Sequence, residues 1–168
     1  KNNVIQLKLY SEKYFSYPKN DAIDLARVLY KKDIIIYATP KTKVVGYRFK
    51  SQLAENSKVL SYFHTLPELS HNEIEAFRNL NHSSDNYSIV WLMDKEEDEN
   101  ILSKIDDLAK ILSRIKCQNF LSFTDKDFLS RQYHLVYFLD CVSFYLSILN
   151  KTNPSPIDNI RKLKDGII

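Results

Sequence analysis

Apolar positions along the chain switch between two spacings, and the switching predicts the elements. From Asp21 to Lys32 they recur at Ile23, Ala26 and Val28–Leu29, one face of a helix with Asn20 or Asp21 as its cap. Asp33 to Thr39 (DIIIYAT) is a nearly unbroken β-branched run, which predicts a strand covered on both faces. Pro40 and the lysines after it predict a loop, and Val44 to Leu53 returns to a helix-compatible pattern. Val59 to His64 predicts a weaker strand leading into Leu66-Pro67-Glu68. Asn72 to Leu80 predicts a short helix opened by Ser70 and Asn72, with Glu73 and Glu75 near its positive end. Tyr87 to Met93 (YSIVWLM) is a second buried strand. Glu97 to Lys116 carries Ile101, Ile105, Leu108, Leu112 and Ile115 at three- and four-residue spacing, an amphipathic helix of roughly five turns. Asn119 to Thr124 predicts a further strand, and Phe128 to Leu149, apolar on most sides, a long central helix. Asn153-Pro-Ser-Pro breaks the chain before a last short helix from Ile157 to Lys164.

Strands alternating with helices predict an α/β fold: a three-layer α/β/α domain around a mainly parallel sheet. Pro18 and Pro154 bracket a single unit, and the stretch before Pro18 reads as an entry segment. At 168 residues the chain can bury a sizeable core, and 44% apolar with 27% charged residues excludes a disordered class. The net charge of +3 is diffuse, which gives no footprint for nucleic acid. The 11 tyrosines and 9 phenylalanines sit among aliphatic residues at strand and helix positions, so they read as core and not as base-stacking platforms. Cys117 and Cys141 match no CxxC pattern and suit a reducing cytosol. No signal peptide opens the chain, and the longest apolar run, Leu135 to Leu149, is too short to span a bilayer. The expectation is a soluble cytoplasmic protein without a membrane partner.

Several familiar signatures are missing. The only glycines, Gly46 and Gly166, cannot form GxGxxG or a P-loop, and there is neither GxSxG nor HExxH. His64, His71, His82 and His134 stand singly, so no metal site is expected. The remaining candidates are Glu55, in a polar Glu-Asn-Ser-Lys turn, and His71, sixteen residues later in Ser-His-Asn-Glu. Lys164 ends the last helix. Each has a plain structural reading: a solvated glutamate, a capping or core histidine, a lysine where the helix dipole favours a cation. Together a carboxylate, an imidazole and an ammonium form an acid/base set.

The segments VVGYRFKSQLAENSK, LPELSHNEIEAF and NPSPIDNIRKLK stand in that order. They resemble the carboxy-terminal half of the bifunctional phosphoglucose/phosphomannose isomerases, members of the sugar-isomerase (SIS) superfamily. The likeness runs from about Asn20 to Lys164 and keeps the Glu55-to-His71 gap. It implies a single SIS domain that interconverts glucose 6-phosphate or mannose 6-phosphate with fructose 6-phosphate through a cis-enediol, with no cofactor. Glu55 would relay the proton between C1 and C2. His71 would assist ring opening from a neighbouring subunit of a homodimer, and Lys164 would act near the ring oxygen. Arg48 and Asn56, in the segment that matches around Glu55, are substrate-binding candidates. So is Ser155, where the family tends to place a Thr that separates the C2 epimers. Residue types suit this chemistry, because a carboxylate can take and return a proton once burial makes its neutral form accessible.

The chain also departs from the family pattern. Ala54 replaces an Asn, Ala76-Phe77 replaces a Gly-containing end, and the gap from Ser155 to Lys164 is longer. Nothing resembles the Ser/Thr-rich phosphate loop of the family's amino-terminal SIS half, and the stretch before Pro18 is too short to hold that half. The expectation is therefore a half that carries the base but lacks the phosphate grip. The alternative is a non-catalytic SIS module that binds a sugar phosphate or dimerises.

Overall fold

The computed structural model describes residues 2–79 and 84–166. Its elements run α1 (Asn2–Tyr14), α2 (Asp21–Leu29), β1 (Asp33–Ala38), α3 (Lys43–Gln52), β2 (Ser61–Thr65), β3 (Tyr87–Leu92), α4 (Glu99–Ile111), β4 (Gln118–Leu121), α5 (Phe128–Leu149) and α6 (Asp158–Lys164). The four strands form one fully parallel sheet in the order β2-β1-β3-β4. Successive residues of each strand face opposite sides, which divides the core. Ile34, Ile36, Val90 and Leu92 pack with α2, α3 and α5, while Ile35, Tyr37, Ile89 and Trp91 pack with Ile105, Leu108 and Leu112 of α4 and the turn that follows it. The three-layer α/β/α expectation holds, with a sheet that is wholly parallel.

Local chemistry fixes the boundaries. Asn20, not Asp21, caps α2: its Oδ1 accepts from the Ala22 and Ile23 amides at 3.0 Å each. Asp98 caps α4 by accepting from the Asn100 amide, so the helix opens two residues later than the apolar period alone indicates. α3 seats on β1 and β2 at Gly46, where an added Cβ would lie 2.5 Å from the Phe63 ring. That close approach sets where the carboxyl end of α3 emerges.

Four sequence expectations change. The entry segment before Pro18 is helix α1: Tyr14 is fully buried and Tyr10 nearly so, both against α5. Its apolar face is narrow, which hid it. The helix expected over Asn72–Leu80 is a 3-10 segment, Glu73–Asn79, with no fully buried residue: only the half-buried Ile74 and Phe77 pack on the core, spaced one 3-10 turn apart; Leu80 lies outside the described residues. The strand expected over Asn119–Thr124 runs Gln118–Leu121, because β3 offers ladder partners only that far. Helix α5 is central in its layer but not covered all round: Leu129, Tyr133 and Ile148 remain more than half exposed.

Candidate active site

At its carboxyl end α3 widens into a single π turn, Leu53–Ser57, that carries Glu55. Leu53 and Ser57 point inward and are buried, which turns Ala54 and Glu55 out to solvent; the burial expected of a proton-relaying carboxylate is not found at Glu55 within this chain. Four side-chain hydrogen bonds hold this turn. Ser57 Oγ donates to the Ser143 carbonyl at 2.6 Å, and Asn56 Nδ2 donates to Ser143 Oγ and to Gln52 Oε1 at 2.9 Å each. Asn150 Nδ2 donates to the Ser57 carbonyl at 3.2 Å. Ser143 and Asn150 belong to α5 and its cap, so Glu55 stands on a turn bolted to the longest helix. Such widened turns recur at functional sites.

Glu55 lies on a cleft of about 380 Å³ lined also by Lys58, Pro156, Ile157, Asp158 and Ile160. That volume falls within the roughly 300–1,000 Å³ of small-molecule sites. One wall is the start of α6. Ser155 is exposed just before that wall, in a turn where its amide donates to Asn153 Oδ1 at 3.0 Å. Lys164 is exposed at the far end of α6 and does not line the cleft. It follows Ile160 by one helical turn, about 6 Å, on the same face. Arg48 donates to Asp140 Oδ2 at 2.6 Å. That hydrogen bond holds the guanidinium above its ordinary pKa despite partial burial, and the field of Glu55 adds to the effect.

His71 is elsewhere. The π turn precedes β2, at the amino edge of the sheet, whereas His71 follows β2 and the 3-10 turn Glu68–Ser70, at the carboxyl edge. Five residues of strand put the edges at least about 13 Å apart. The structure therefore gathers Glu55, Asn56, Ser155 and the start of α6 at one edge, and leaves His71 at the other. His71 is exposed and is no core histidine: its backbone amide caps the 3-10 turn by donating to the Glu68 carbonyl at 3.0 Å, and among the described residues no hydrogen bond reaches its ring.

The usual ligand crevice of a parallel sheet, at the carboxyl ends of β1 and β3 where the strand order switches, is filled by the chain itself. The Thr39 amide donates to Thr42 Oγ1 at 3.1 Å, and Glu97 Oε2 accepts from the Lys41 amide at 3.1 Å. Glu97 thus takes the place an anion would occupy at the start of α3. Asp94 and Arg131 close the crevice beyond it with two hydrogen bonds of 2.9 Å. A larger cleft of about 560 Å³ lies between β2 and residues 73–79, with walls from Ile35, Tyr62, Phe63 and Phe77. It is mainly apolar and does not touch Glu55; of the two clefts, the smaller is the one that holds the candidate carboxylate.

Two buried groups have structural work instead. His134 is stacked between Tyr10 and Phe123 and bonded to Asp125 at 2.6 Å and Tyr14 at 2.7 Å; this joins α1 to α5. Burial pushes the Cys141 thiol up to about 12, out of nucleophile range. Among the described residues no cluster of His, Cys, Asp or Glu could hold a metal ion, and no helix is long and apolar enough to cross a membrane. His82 lies outside the described residues.

A parallel-sheet domain of this layering has counterparts among solved structures. Superposition on a glucose-6-phosphate isomerase-like protein from Thermus thermophilus gives a TM-score of 0.64 over 80% of this chain and 45% of that one, at 21% identity. The C-terminal domain of a Francisella tularensis glucosamine-fructose-6-phosphate aminotransferase gives 0.69 over 92% of this chain and 45% of that one, at 13% identity. Residues 18–167 match the model of the bacterial phospho-glucose isomerase C-terminal SIS domain, and the chain belongs to that family. A bifunctional phosphoglucose/phosphomannose isomerase of Caldicellulosiruptor bescii is 35% identical over 154 residues, 89% of this chain and 44% of the relative. One of Aquifex aeolicus is 28% identical over 150 residues, 89% of this chain and 47% of the relative. The chain therefore spans about half the length of these curated relatives.

Sequence reasoning singled out Glu55 and Asn56, which the structure places on this turn, but passed over Lys58 as a flanking residue. Its signal was available: a lysine closing an Asn-Ser-Lys turn, where the backbone is left-handed at φ 56° and ψ 37°.

Proposed function

We propose that this chain is the base-bearing half of a sugar-phosphate aldose–ketose isomerase acting on glucose 6-phosphate or mannose 6-phosphate and fructose 6-phosphate. Glu55 takes a proton from C2 of the open-chain aldose and returns it to C1 through a cis-enediol, and Lys164 and His71 serve ring opening. No cofactor enters this scheme, because the substrate's own carbonyl activates the adjacent C–H. The observation that carries the reading is the rigidly held π turn that presents an exposed carboxylate to a cleft of sugar size. The names of the relatives supply the substrate class.

His71 at the opposite edge cannot meet the Glu55 of its own chain, which supports a homodimer in which it serves the neighbouring copy. Phosphate binding falls to groups outside this domain's filled crevice. The test is isomerisation of fructose 6-phosphate by the full-length natural protein and its Glu55→Gln variant. A general base contributes about 10²–10⁴-fold, so the variant loses at least that much. An unchanged rate would favour the second reading, a binding or dimerisation module, which the solvent exposure of Glu55 also suits.

A further inference from the structure

The Glu55 cleft has two walls, and one side chain spans them. Lys58 Nζ donates to the Glu55 carbonyl at 2.5 Å and to the Pro156 carbonyl at 2.7 Å. The first acceptor belongs to the π turn, the second to the tail that carries Ser155 and α6. Lys58 is itself held in place, because its left-handed backbone closes the turn and its amide donates to the Leu53 carbonyl. Helix α6 has no buried residue. Among the described residues no other hydrogen bond or ion pair joins residues 153–166 to the rest of the chain.

We propose that Lys58 is a positioning residue: its ammonium clamps the tail onto the Glu55 turn and so sets the width of the cleft and the distance of α6 from the carboxylate. The catalytic consequence rests on the isomerase reading above; the clamp itself does not. An ammonium suits the task, since its tetrahedral donors reach two carbonyls on separate segments and leave a third directed at solvent or ligand. With the clamp open, α6 and Lys164 lose their one side-chain hydrogen-bonded tie to the body and keep only the packing of the half-buried Pro154, Pro156 and Ile157.

Lys58→Met keeps the stem and the same left-handed backbone cost while removing the donors, and Lys58→Arg restores a cationic donor. Two measurements on the full-length natural protein decide the matter: ¹⁵N order parameters of residues 159–164, and kcat and KM for fructose 6-phosphate. In the wild type the α6 amides are expected near the rigid value of about 0.85, and in Lys58→Met below about 0.6. The kcat is expected to fall about 10- to 100-fold in Lys58→Met with KM within about twofold, and to recover mostly in Lys58→Arg.

Order parameters that do not change overturn the clamp. Lowered order with an unchanged kcat, in protein that Glu55→Gln inactivates, overturns the positioning role and leaves the isomerase reading intact. A wild type that turns nothing over sinks that reading and the positioning role with it, and the order parameters still judge the clamp.

Discussion

Replacing Arg131 with methionine strips the counter-charge from a carboxylate that water cannot reach. Asp94 and Arg131 are each 2% exposed. The guanidinium meets Asp94 edge-on, Nε to Oδ2 and Nη2 to Oδ1, both at 2.9 Å. Burial alone raises the Asp94 carboxyl, but the Arg131 hydrogen bond, with help from the Glu96 amide, outweighs it and holds the group below its ordinary 3.8. In Arg131→Met only the Glu96 amide and Gln132 remain, so a buried, unpaired charge results. Removing one partner of such a pair costs about 3–5 kcal/mol. The contact with Glu96, whose side chain is 58% exposed, adds at most about 1 kcal/mol. For a domain of this size the loss corresponds to a fall in Tm of roughly 6–20 °C. Urea unfolding at pH 7 measures it, and the Arg131→Met/Asp94→Leu double variant should recover most of the loss. The deficit should also narrow as pH falls, because protonating Asp94 removes the stranded charge. A single variant that loses less than about 1 kcal/mol would refute the reasoning and show the pair to be solvated.

The remaining predictions concern acid stability and subunit sharing. Burial between Tyr10 and Phe123 lowers the His134 pKa from its ordinary 6.5, only partly offset by Asp125, so the folded state prefers the neutral ring. Its stabilisation is complete above about pH 6.5 and is lost as pH falls through the lower folded value; His134→Gln should flatten that limb of a urea-midpoint profile. Asp125, held below 3.8 by Tyr10 and His134 against the opposing effect of burial, should add a second loss at more acid pH. Mixing inactive Glu55→Gln and His71→Asn copies should restore about one quarter of wild-type turnover by random pairing, if each site takes its imidazole from the other copy. No recovery after subunit exchange would rule out that division of labour.

What the sequence disclosed depended on how local the cause was. Strands β1 and β3, buried on both faces, announced themselves as apolar runs, and α4 as a clean helical period, because burial on the two sheet faces imposes those patterns directly. Helix α1 did not, since its partners Asp125 and His134 lie more than a hundred residues away and its buried stripe is little more than Tyr10 and Tyr14. At the site, Glu55 and Asn56 were legible through a motif. The clamp by Lys58 was not, because Pro156 is 98 residues distant in sequence. Nor was the plugging of the switch-point crevice by Glu97, 56 residues from the Lys41 amide it caps.

These long-range facts favour chemistry at the unusual edge of the sheet. In most open parallel sheets the carboxyl edge holds the ligand, because loops and helix starts converge there. Here that edge is occupied by Glu97, Thr39, Thr42 and the Asp94–Arg131 pair, all buried. The amino edge, by contrast, gains an open cleft from the π turn after α3 and the tail after α5. His71 is the exception at the carboxyl edge, exposed and with no described partner for its ring. On the isomerase reading, a domain that keeps its base at one edge and its imidazole at the other cannot close a catalytic site alone. Activity in such a design is a property of the assembled protein, and the rigid turn around Glu55 is what this half contributes to it.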